Sequence, residues 1–313
     1  MDRIIVIVGP TASGKTGLSV ALAKKLGGEV ISADSMQLYR GMDIGTAKVT
    51  PEEMDGVPHH MIDVAEPWEA FSAARYAQMA DPILQDILRR GKAAIIAGGT
   101  GLYVDALVKG RSFAPHPATG QREELEREAD REGMEAMLEK LRAVDPDSAS
   151  RLHLSDRKRI LRALEVYRET GKTITAHNLE TQAVPDRYCP VWIGLDFQDR
   201  AELYARIDRR VDAMLSAGLL EEIRGLLDRG VPRDCTAMQA IGYKEFLPVL
   251  DGSLAAEQAA ALVKQSSRRY AKRQKTWFRR NREIRWILQR EPPDPDRLLQ
   301  EALQLLPFFD AAP

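Results

Sequence analysis

Residues 9–16 read GPTASGKT and match the phosphate-binding pattern G-x-x-x-x-G-K-[ST] at every position. The apolar run before this loop, at residues 3–8, is typical of a buried parallel strand, and the residues after it have the apolar spacing of a helix. In such a setting the backbone amides of the loop and the start of the helix bind phosphate oxygens. The sequence therefore predicts a phosphate-binding α/β enzyme, whose loop consists of Gly9, Pro10, Thr11, Ala12, Ser13, Gly14, Lys15 and Thr16.

Lys15 and Thr16 have separate predicted roles in this loop. The ammonium of Lys15 is expected to reach the terminal phosphate, and the hydroxyl of Thr16 is expected to be a ligand for Mg²⁺. Mg²⁺ is therefore the predicted cofactor. The pattern alone leaves open whether the phosphate compound is a nucleotide or a diphosphate.

Further apolar segments at residues 29–33, 93–97 and 191–195 predict three more strands, with helices between them. This alternation predicts a P-loop-type parallel sheet flanked by helices. Three charged helical stretches interrupt it, so the α/β core is expected in two parts, 1–114 and 186–290, around a helical insertion domain at 115–185. The C-terminal region of the core is helical and basic, and residues 291–313 are interpreted as a tail.

Two polar residues follow predicted strands, at the edge where an open parallel sheet binds its ligands. Asp34 ends the strand after the P-loop helix, and a carboxylate there can accept a proton from an attacking group. Thr100 lies in the glycine-flanked loop after residues 93–97 and can contribute a hydroxyl to an anion site. An ordinary role in a turn is the alternative for both residues. Residues 98–100 lack the acid that NTP-hydrolysing enzymes often have at such a position, which favours group transfer.

The charge of the chain is unevenly distributed. The formal net charge is -1, yet residues 264–290 contain eleven Lys or Arg and one acid, so the remainder sums to -11. A basic segment of this kind predicts a polyanionic partner. No apolar run approaches the ~20 residues of a membrane helix, and the two cysteines form no C-x-x-C pair. The expected protein is cytoplasmic and has no membrane partner.

Several blocks of the sequence resemble the bacterial tRNA dimethylallyltransferases, also called tRNA isopentenyltransferases. Besides GPTASGKT, these blocks are DSMQLYRGMDIGTAK at 34–48, VPHH at 57–60, GGTGLY at 98–103, QAIGYK at 239–244 and RRYAKRQKTWFR at 268–279. They follow one another in the family's order from residue 9 to residue 279, so the resemblance covers nearly the whole chain.

The resemblance implies transfer of a dimethylallyl group from dimethylallyl diphosphate to N6 of adenosine-37, the nucleoside on the 3′ side of a tRNA anticodon. The products are diphosphate and N6-isopentenyladenosine. Asp34 then matches the catalytic base, Thr100 a hydroxyl near the reaction centre, and Arg210 an arginine that holds the diphosphate, with Arg209 as the alternative. The implied partners are dimethylallyl diphosphate and the anticodon stem-loop of tRNA, and the enzyme is expected to be a monomer.

Residues next to the predicted base are expected to line the adenosine pocket, where Gln37 can hydrogen-bond an adenine edge. For Met36, packing in the core is the alternative. A basic stripe on the insertion is a further candidate for RNA contact, although a solvated helix face explains the stripe as well. The predicted tRNA-binding residues are Asp34, Ser35, Met36, Gln37, Thr100, Lys158, Arg159, Arg162, Gln239, Gly242, Tyr243 and Lys244.

Two other functions fit parts of the pattern. A P-loop kinase of a small metabolite would hold ATP in the loop and use Asp34 to deprotonate a hydroxyl, but it would not need the basic segment at 264–290. A nucleic-acid-binding protein whose P-loop senses a ligand would not need a carboxylate beside the phosphates.

Overall fold

The computed structural model describes residues 2–110, 119–183 and 187–307. The chain divides into two compact units. One combines the residues up to Lys109 with those from Arg187 onwards, and the other runs from Gly110 to Asp186. The second unit lies where the sequence predicts the helical insertion domain, although the predicted start of that domain, at 115–117, is outside the described residues.

The first unit is built on a parallel sheet with the strand order β3-β2-β4-β1-β5-β6. Its strands are β1 (Asp2–Val8), β2 (Glu29–Ser32), β3 (His59–His60), β4 (Ala94–Gly98), β5 (Tyr188–Phe197) and β6 (Arg285–Gln289). Strands β1, β2, β4 and β5 confirm the predicted strands, and the parallel α/β fold class is confirmed with them. The sequence does not predict β3, which has two residues, or β6, which lies inside the basic segment.

None of the helices formed by the described residues is long and apolar enough to cross a membrane. They are α1 (Lys15–Leu26), α2 (Pro51–Met54), α3 (Ala73–Arg89), α4 (Gly101–Val108), α5 (Gln121–Val144), α6 (Pro146–Ala149), α7 (Arg157–Thr170), α8 (Ile174–Gln182), α9 (Arg200–Ser216), α10 (Leu219–Asp228), α11 (Leu247–Leu250), α12 (Ala256–Phe278) and α13 (Pro295–Gln304), with a 3₁₀ turn at Ala237–Gln239.

The core of the first unit lies on both sides of β1. On one face, Ile5 and Ile7 pack in a cluster with Leu22 of α1 and Leu298 of α13. Ile4 points to the opposite face, because side chains alternate along a strand, and it is completely buried. Helices α3, α4 and α9 also pack against the sheet. A central strand buried on both faces explains why residues 4–8 are apolar without a break.

The interpretation of residues 291–313 as a separate tail is wrong for the part that the structure describes. Residues 295–304 form α13, and Leu298, Ala302 and Leu306 are buried against the core. A spacing of four residues places Leu298 and Ala302 on one face of α13, and Leu306 follows just after the helix ends. Three prolines between residues 292 and 295 and the many polar residues around them obscure that pattern in the sequence.

The second unit is helical and has an apolar core of its own, to which Leu125, Leu141, Ile160 and Leu161 contribute. Gly133 has a φ of 84° and interrupts α5, which separates the first two of the predicted charged stretches. Helix α7 turns its apolar residues into this core.

Candidate active site

The P-loop follows β1, and its last two residues begin α1. Gly14 adopts a φ of 83° and Ala12 a φ of 63°, and these turns allow the chain to curl around a phosphate. Gly9 must lack a side chain, because a Cβ there would lie 2.4 Å from the Leu195 carbonyl oxygen of β5. The shape of the loop therefore depends on close contact with the neighbouring strand as well as on its own glycines.

Gln274 of α12 joins the P-loop to the loop after β4. Its side-chain oxygen accepts a hydrogen bond from the Thr11 amide at 2.8 Å, and its nitrogen donates one to the Gly99 carbonyl at 3.0 Å. The side chain is buried, where hydrogen bonds are electrostatically stronger than in water. The helix that carries much of the basic segment is thus bonded directly to the predicted phosphate site.

Two further side chains hold the P-loop from distant parts of the chain. Gln289, the last residue of β6, donates a hydrogen bond to the Ser13 carbonyl at 2.8 Å. Arg206 of α9 donates one to the Ala12 carbonyl at 3.1 Å. The sequence does not predict these contacts, because 194 and 276 residues separate the partners. The sequence signal that could have identified Gln274 as a site residue is its position in the block RRYAKRQKTWFR, one of the blocks that resemble the family.

Asp34 and Thr100 follow neighbouring strands, β2 and β4, and their loops meet. The Ser35 amide donates a hydrogen bond to the Thr100 hydroxyl at 3.0 Å. One oxygen of Asp34, Oδ1, accepts a hydrogen bond from the Met36 amide at 2.9 Å, while Oδ2 has no hydrogen-bond partner among the described residues. The turn role and the predicted base role of Asp34 are therefore compatible, because they use different oxygens.

Lys15 and Arg210 bring two cations to this site. Burial, and next the charge of Arg210, lower the pKa of Lys15 from 10.5 to about 8, and the Asp34 carboxylate partly opposes that change. Arg210 donates hydrogen bonds to Thr11 Oγ1 and the Thr46 carbonyl, both at 3.3 Å, and burial lowers its pKa. Two desolvated cations that repel each other form a site that favours a polyanion.

The surroundings of Arg209 and Arg210 separate the two candidates for holding a diphosphate. Arg209 is exposed and forms an ion pair with Glu291. Arg210 turns towards the P-loop instead, on the same face of α9 as Arg206, one turn earlier. Arg210 therefore remains the predicted diphosphate ligand, and Arg209 does not fit that role.

Tyr270 of α12 is a site residue to which the sequence assigns no catalytic or binding role. It lines the cavity, close to the side chains of Thr100 and Gln274. Burial, and next the charge of Asp34, raise the pKa of Tyr270 to about 12, so the phenol keeps its proton at neutral pH. The Thr100 hydroxyl, which accepts a hydrogen bond from the Ser35 amide, thus has a neutral phenol beside it.

Most of these residues line a cavity of about 890 Å³ in the first unit, whereas Thr100 is not part of its wall. One part of its wall consists of the P-loop, Asp34 and Arg210, and another part contains the apolar side chains Val211, Met214 and Val263 of α9 and α12. A cavity of this size holds a ligand much larger than an inorganic anion. A polyanion site beside an apolar wall suits a phosphate ester that carries a hydrocarbon group.

Six of the residues predicted to contact tRNA line this cavity. Gln37 already accepts a hydrogen bond from the Ser32 hydroxyl at 3.3 Å and donates one to the Ala47 carbonyl at 3.1 Å. These bonds orient the amide and leave each polar end free for one more partner. Met36 lines the cavity and is half-buried, so it is not a core residue. The six are Asp34, Ser35, Met36, Gln37, Gln239 and Lys244.

The predicted contact of Gly242 and Tyr243, in the QAIGYK block, with tRNA is wrong because both residues are buried. Tyr243 is completely buried. Its hydroxyl donates a hydrogen bond to Glu222 at 2.6 Å, and its ring packs against the backbone at Gly45. Gly242 is also buried, and its amide donates to Glu245 at 2.9 Å. Neither residue presents a surface to RNA.

Within the second unit, the predicted basic stripe of α7 is only partly available. Arg162 is half-buried and donates a hydrogen bond to the buried Glu165 carboxylate at 3.0 Å, so it has a role inside the unit. Lys158 and Arg159 are exposed, with Arg159 at 3.7 Å from Asp156. Contact of these two residues with RNA stays a prediction.

Acids of the first unit neutralise part of the basic segment at 264–290. Lys264 and Arg268 each pair with an aspartate of α9 at 2.6 Å, and Lys275 pairs with the buried Asp196 at 2.7 Å. The remaining positive charge is on the surface. The exposed cations of the segment without an ion pair among the described residues are Arg269, Lys272, Arg273, Arg280, Arg282, Arg285 and Arg290.

The surroundings of Thr16 suit a Mg²⁺ ion held mainly by phosphate oxygens of a ligand. The side chain is exposed at the start of α1, and its hydroxyl has no hydrogen-bond partner in the described part of the chain. Within residues 2–110, 119–183 and 187–307, no group of three or more His, Cys, Asp or Glu side chains could hold a metal ion. Mg²⁺ bound with substrate phosphates needs only one or two protein ligands.

Comparison with known proteins identifies the family. A family model described as IPP transferase matches residues 37–281, which include the block at 34–48 from Gln37 onwards and the whole of α12. The chain belongs to the IPP transferase family. This membership confirms the resemblance carried by the sequence blocks, and with it the predicted class of enzyme, a prenyltransferase.

Individual members of the IPP transferase family match along almost the full chain. A tRNA dimethylallyltransferase of Symbiobacterium thermophilum is 51% identical over 304 residues, which cover 97% of this chain and 94% of that protein. The crystal structure of the full-length tRNA isopentenylpyrophosphate transferase from Bacillus halodurans is 45% identical, with a TM-score of 0.73 and coverage of 98% of this chain and 96% of that chain. A eukaryotic dimethylallyltransferase acting on tRNA is 30% identical, with a TM-score of 0.82 and coverage of 98% and 80%.

The lowered pKa of Lys15 makes the binding of inorganic diphosphate depend on pH. In the empty site the ammonium is protonated below about pH 8, and the protonated form attracts the ligand. Because a bound anion raises this pKa, affinity should be on its plateau below about pH 8 and decrease above it, by at most about tenfold per pH unit. Calorimetric titration across this range measures the effect.

The variant Lys15→Arg is the control for that titration, because its guanidinium stays charged throughout. It reports any change that comes from the titration of diphosphate itself, and the difference between the two proteins isolates Lys15. Parallel pH profiles for the two proteins would contradict the lowered pKa.

Proposed function

We propose that this chain transfers the dimethylallyl group of dimethylallyl diphosphate to N6 of the adenosine on the 3′ side of a tRNA anticodon. The observation that carries the proposal is the free carboxylate oxygen of Asp34 in one cavity with the cations Lys15 and Arg210. A base and a polyanion site in one cavity suit the replacement of a diphosphate by a nucleophile. The names of the relatives, which include a dimethylallyltransferase acting on tRNA, support the choice of substrates.

In the proposed step, a bond forms between N6 of adenine and C1 of the allyl group, while the bond between C1 and the diphosphate oxygen breaks. The N6 proton passes to the free oxygen of Asp34, and the electron pair of the broken bond leaves with the diphosphate. Lys15, Arg210 and the P-loop amides stabilise the charge of the leaving diphosphate. Mg²⁺ bound at Thr16 would supply further positive charge there.

The rest of the cavity wall supports the same reaction. The apolar residues Val211, Met214 and Val263 can accommodate the hydrocarbon group and keep water away from the allyl carbon. Thr100 holds the loop that carries Asp34, through its hydrogen bond from the Ser35 amide. We therefore expect the adenine nucleophile to be the one polar group that reaches the allyl carbon.

The position of the predicted catalytic base, Asp34, and the positive surface charge both support RNA as the partner. Because Asp34 lies inside a cavity, the adenosine must leave its stack to bring N6 to the carboxylate. Gln37 lies three residues after Asp34 and keeps a free donor and a free acceptor for an adenine edge. The exposed cations of the basic segment bind the phosphates of the anticodon stem-loop. The proposed enzyme works as a monomer in the cytoplasm.

Incubation with unmodified tRNA and either dimethylallyl diphosphate or ATP tests the function. With dimethylallyl diphosphate and Mg²⁺, one adenosine of the anticodon loop should gain the mass of a dimethylallyl group, as measured by mass spectrometry of nucleosides. With ATP, the tRNA should stay unchanged. Loss of the terminal phosphate of ATP to a small metabolite, with no prenylated nucleoside in the other arm, would replace the proposal by the kinase alternative.

Substitution of the predicted catalytic base, Asp34, should strongly slow the transfer reaction while the protein keeps its fold. Asp34→Asn keeps an oxygen that accepts the Met36 amide, so the turn is retained, but it no longer accepts a proton. The single-turnover rate should decrease by roughly 10²–10⁴-fold, the usual effect of a general base, while diphosphate binding is kept. The matched control is Asp199→Asn, a carboxylate that also bonds one backbone amide but starts α9 outside the cavity. A near-normal rate in Asp34→Asn would exclude this residue as the base.

The salt dependence of tRNA binding should separate two adjacent arginines. Arg269 is exposed and has no ion pair among the described residues, whereas Arg268 pairs with Asp208. Arg269→Gln should flatten the slope of log affinity against log salt by about 0.9 if the lost contact is to duplex, or about 0.7 if it is to a single strand. Arg268→Gln should change the slope by less. Equal changes, or a wild-type affinity that hardly depends on salt, would contradict the assignment of the surface.

A further inference from the structure

Glu222 of α10 accepts hydrogen bonds from three successive backbone amides. Its Oε2 receives the amides of Asp43 at 2.8 Å and Ile44 at 2.7 Å, and its Oε1 receives the amide of Gly45 at 3.1 Å. The Tyr243 hydroxyl donates a fourth hydrogen bond to Oε1 at 2.6 Å. Successive amides that point at one anion form a nest of the kind that usually binds a phosphate, and here a carboxylate from the same chain fills it.

The segment that Glu222 binds has no regular secondary structure to satisfy these amides. Residues 43–47 form an irregular turn between β2 and α2 in which Ile44 and Gly45 are half-buried, and an amide shielded from water without an acceptor is costly. Tyr243 closes the other side, since a Cβ on Gly45 would lie 2.5 Å from its ring. The conformation of this turn is therefore set by one carboxylate and one aromatic ring, both from more than a hundred residues later in the chain.

The same turn orients two side chains of the candidate active site. The Thr46 carbonyl accepts a hydrogen bond from Arg210 at 3.3 Å, and the next carbonyl, that of Ala47, accepts one from Gln37 at 3.1 Å. Arg210 is the proposed ligand of the diphosphate, and Gln37 is the proposed reader of the adenine. Glu222 itself is not part of the cavity wall.

We propose that Glu222, supported by Tyr243, is a positioning residue that sets Arg210 and Gln37 together, so that one carboxylate outside the cavity tunes the binding of both substrates. The inference rests on the proposed function for the identity of these substrates. Among the described residues, neither Lys15 nor Thr16 has a hydrogen bond to the turn, so their roles in phosphate and metal binding should not depend on Glu222.

The test uses the isosteric variant Glu222→Gln. Its amide nitrogen must face at least one donor, so at least one of the four hydrogen bonds is lost. Affinity for inorganic diphosphate and affinity for an anticodon stem-loop should each decrease about tenfold, while the Mg²⁺ concentration for half-maximal transfer stays the same. The matched control is Glu221→Gln, the adjacent exposed carboxylate, whose one ion pair within the described part of the chain is with Arg224. It should bind both ligands like the wild type.

A double-mutant cycle distinguishes positioning from general loosening of the fold. In an Arg210→Ala background, Glu222→Gln should cause no further loss of diphosphate affinity, because the residue that it positions is absent. A loosened fold would weaken binding in both backgrounds. Tyr243→Phe keeps the ring against Gly45 and removes one hydrogen bond, so it should give a smaller loss and serves if Glu222→Gln does not fold.

Diphosphate binding needs no transfer, which keeps this inference separate from the proposed function. Weakened diphosphate binding in Glu222→Gln, in a protein whose wild type transfers no dimethylallyl group, would support the positioning of Arg210 and overturn only the function. Wild-type affinity for both ligands in Glu222→Gln, or in Tyr243→Phe where the first variant is unfolded, would overturn the inference.

Discussion

The parallel pairing of β2, β4 and β1 decides where the chemistry of this protein can take place. Because these strands lie side by side and run in one direction, their carboxyl ends meet at one edge of the sheet. The P-loop, Asp34 and Thr100 each follow one of these strands. The Thr100 amide donates a hydrogen bond to the Ala33 carbonyl at 3.1 Å, so the two loops are fixed to each other at the backbone. The side chains that are proposed to act on the substrates therefore have positions that depend on strand register.

One face of helix α12 contributes side chains to the candidate active site, and the opposite face is exposed on the surface. Tyr270 and Gln274, one turn apart, reach the loops of the cavity, whereas Arg269 and Lys272 lie on the exposed side. The ion pairs of its first half attach it to α9, which carries Arg210. An RNA that binds the exposed side thus touches a helix whose buried side holds the phosphate loop.

Much of this arrangement could be predicted from the sequence, and there is a physical reason why the rest could not. The P-loop, Asp34 and Thr100 were found because strands and the residues directly after them leave a local pattern of apolar runs, glycines and polar ends. Gln274 and Glu222 leave no such pattern. A polar residue in an amphipathic helix looks the same whether it faces water or a backbone amide far away in sequence, and only the folded chain distinguishes the two.

The incorrect predictions have the same origin. Tyr243 lies in a block that resembles the family, and an aromatic residue near a tRNA site is readily interpreted as an RNA contact, although its hydroxyl and ring serve the turn at Gly45. The basic segment suggests a uniform surface, but Lys264, Arg268 and Lys275 neutralise acids whose positions the sequence alone does not bring near them. The family resemblance identified the reaction more sharply than it identified which residues face the substrates.

The hydrogen bond from Gln289 to the Ser13 carbonyl spans 276 residues, and it has a consequence for the synthesis of the chain. More than 250 residues are added after the P-loop motif before Gln274 and Gln289 are added. Until then the nascent chain carries the complete motif without the two amides that hold it in shape. A chain terminated before residue 264 would still contain Gly9 to Thr16, Asp34, Thr100 and Arg210. Premature termination would thus give a protein that has every residue of the motif and cannot assemble the site.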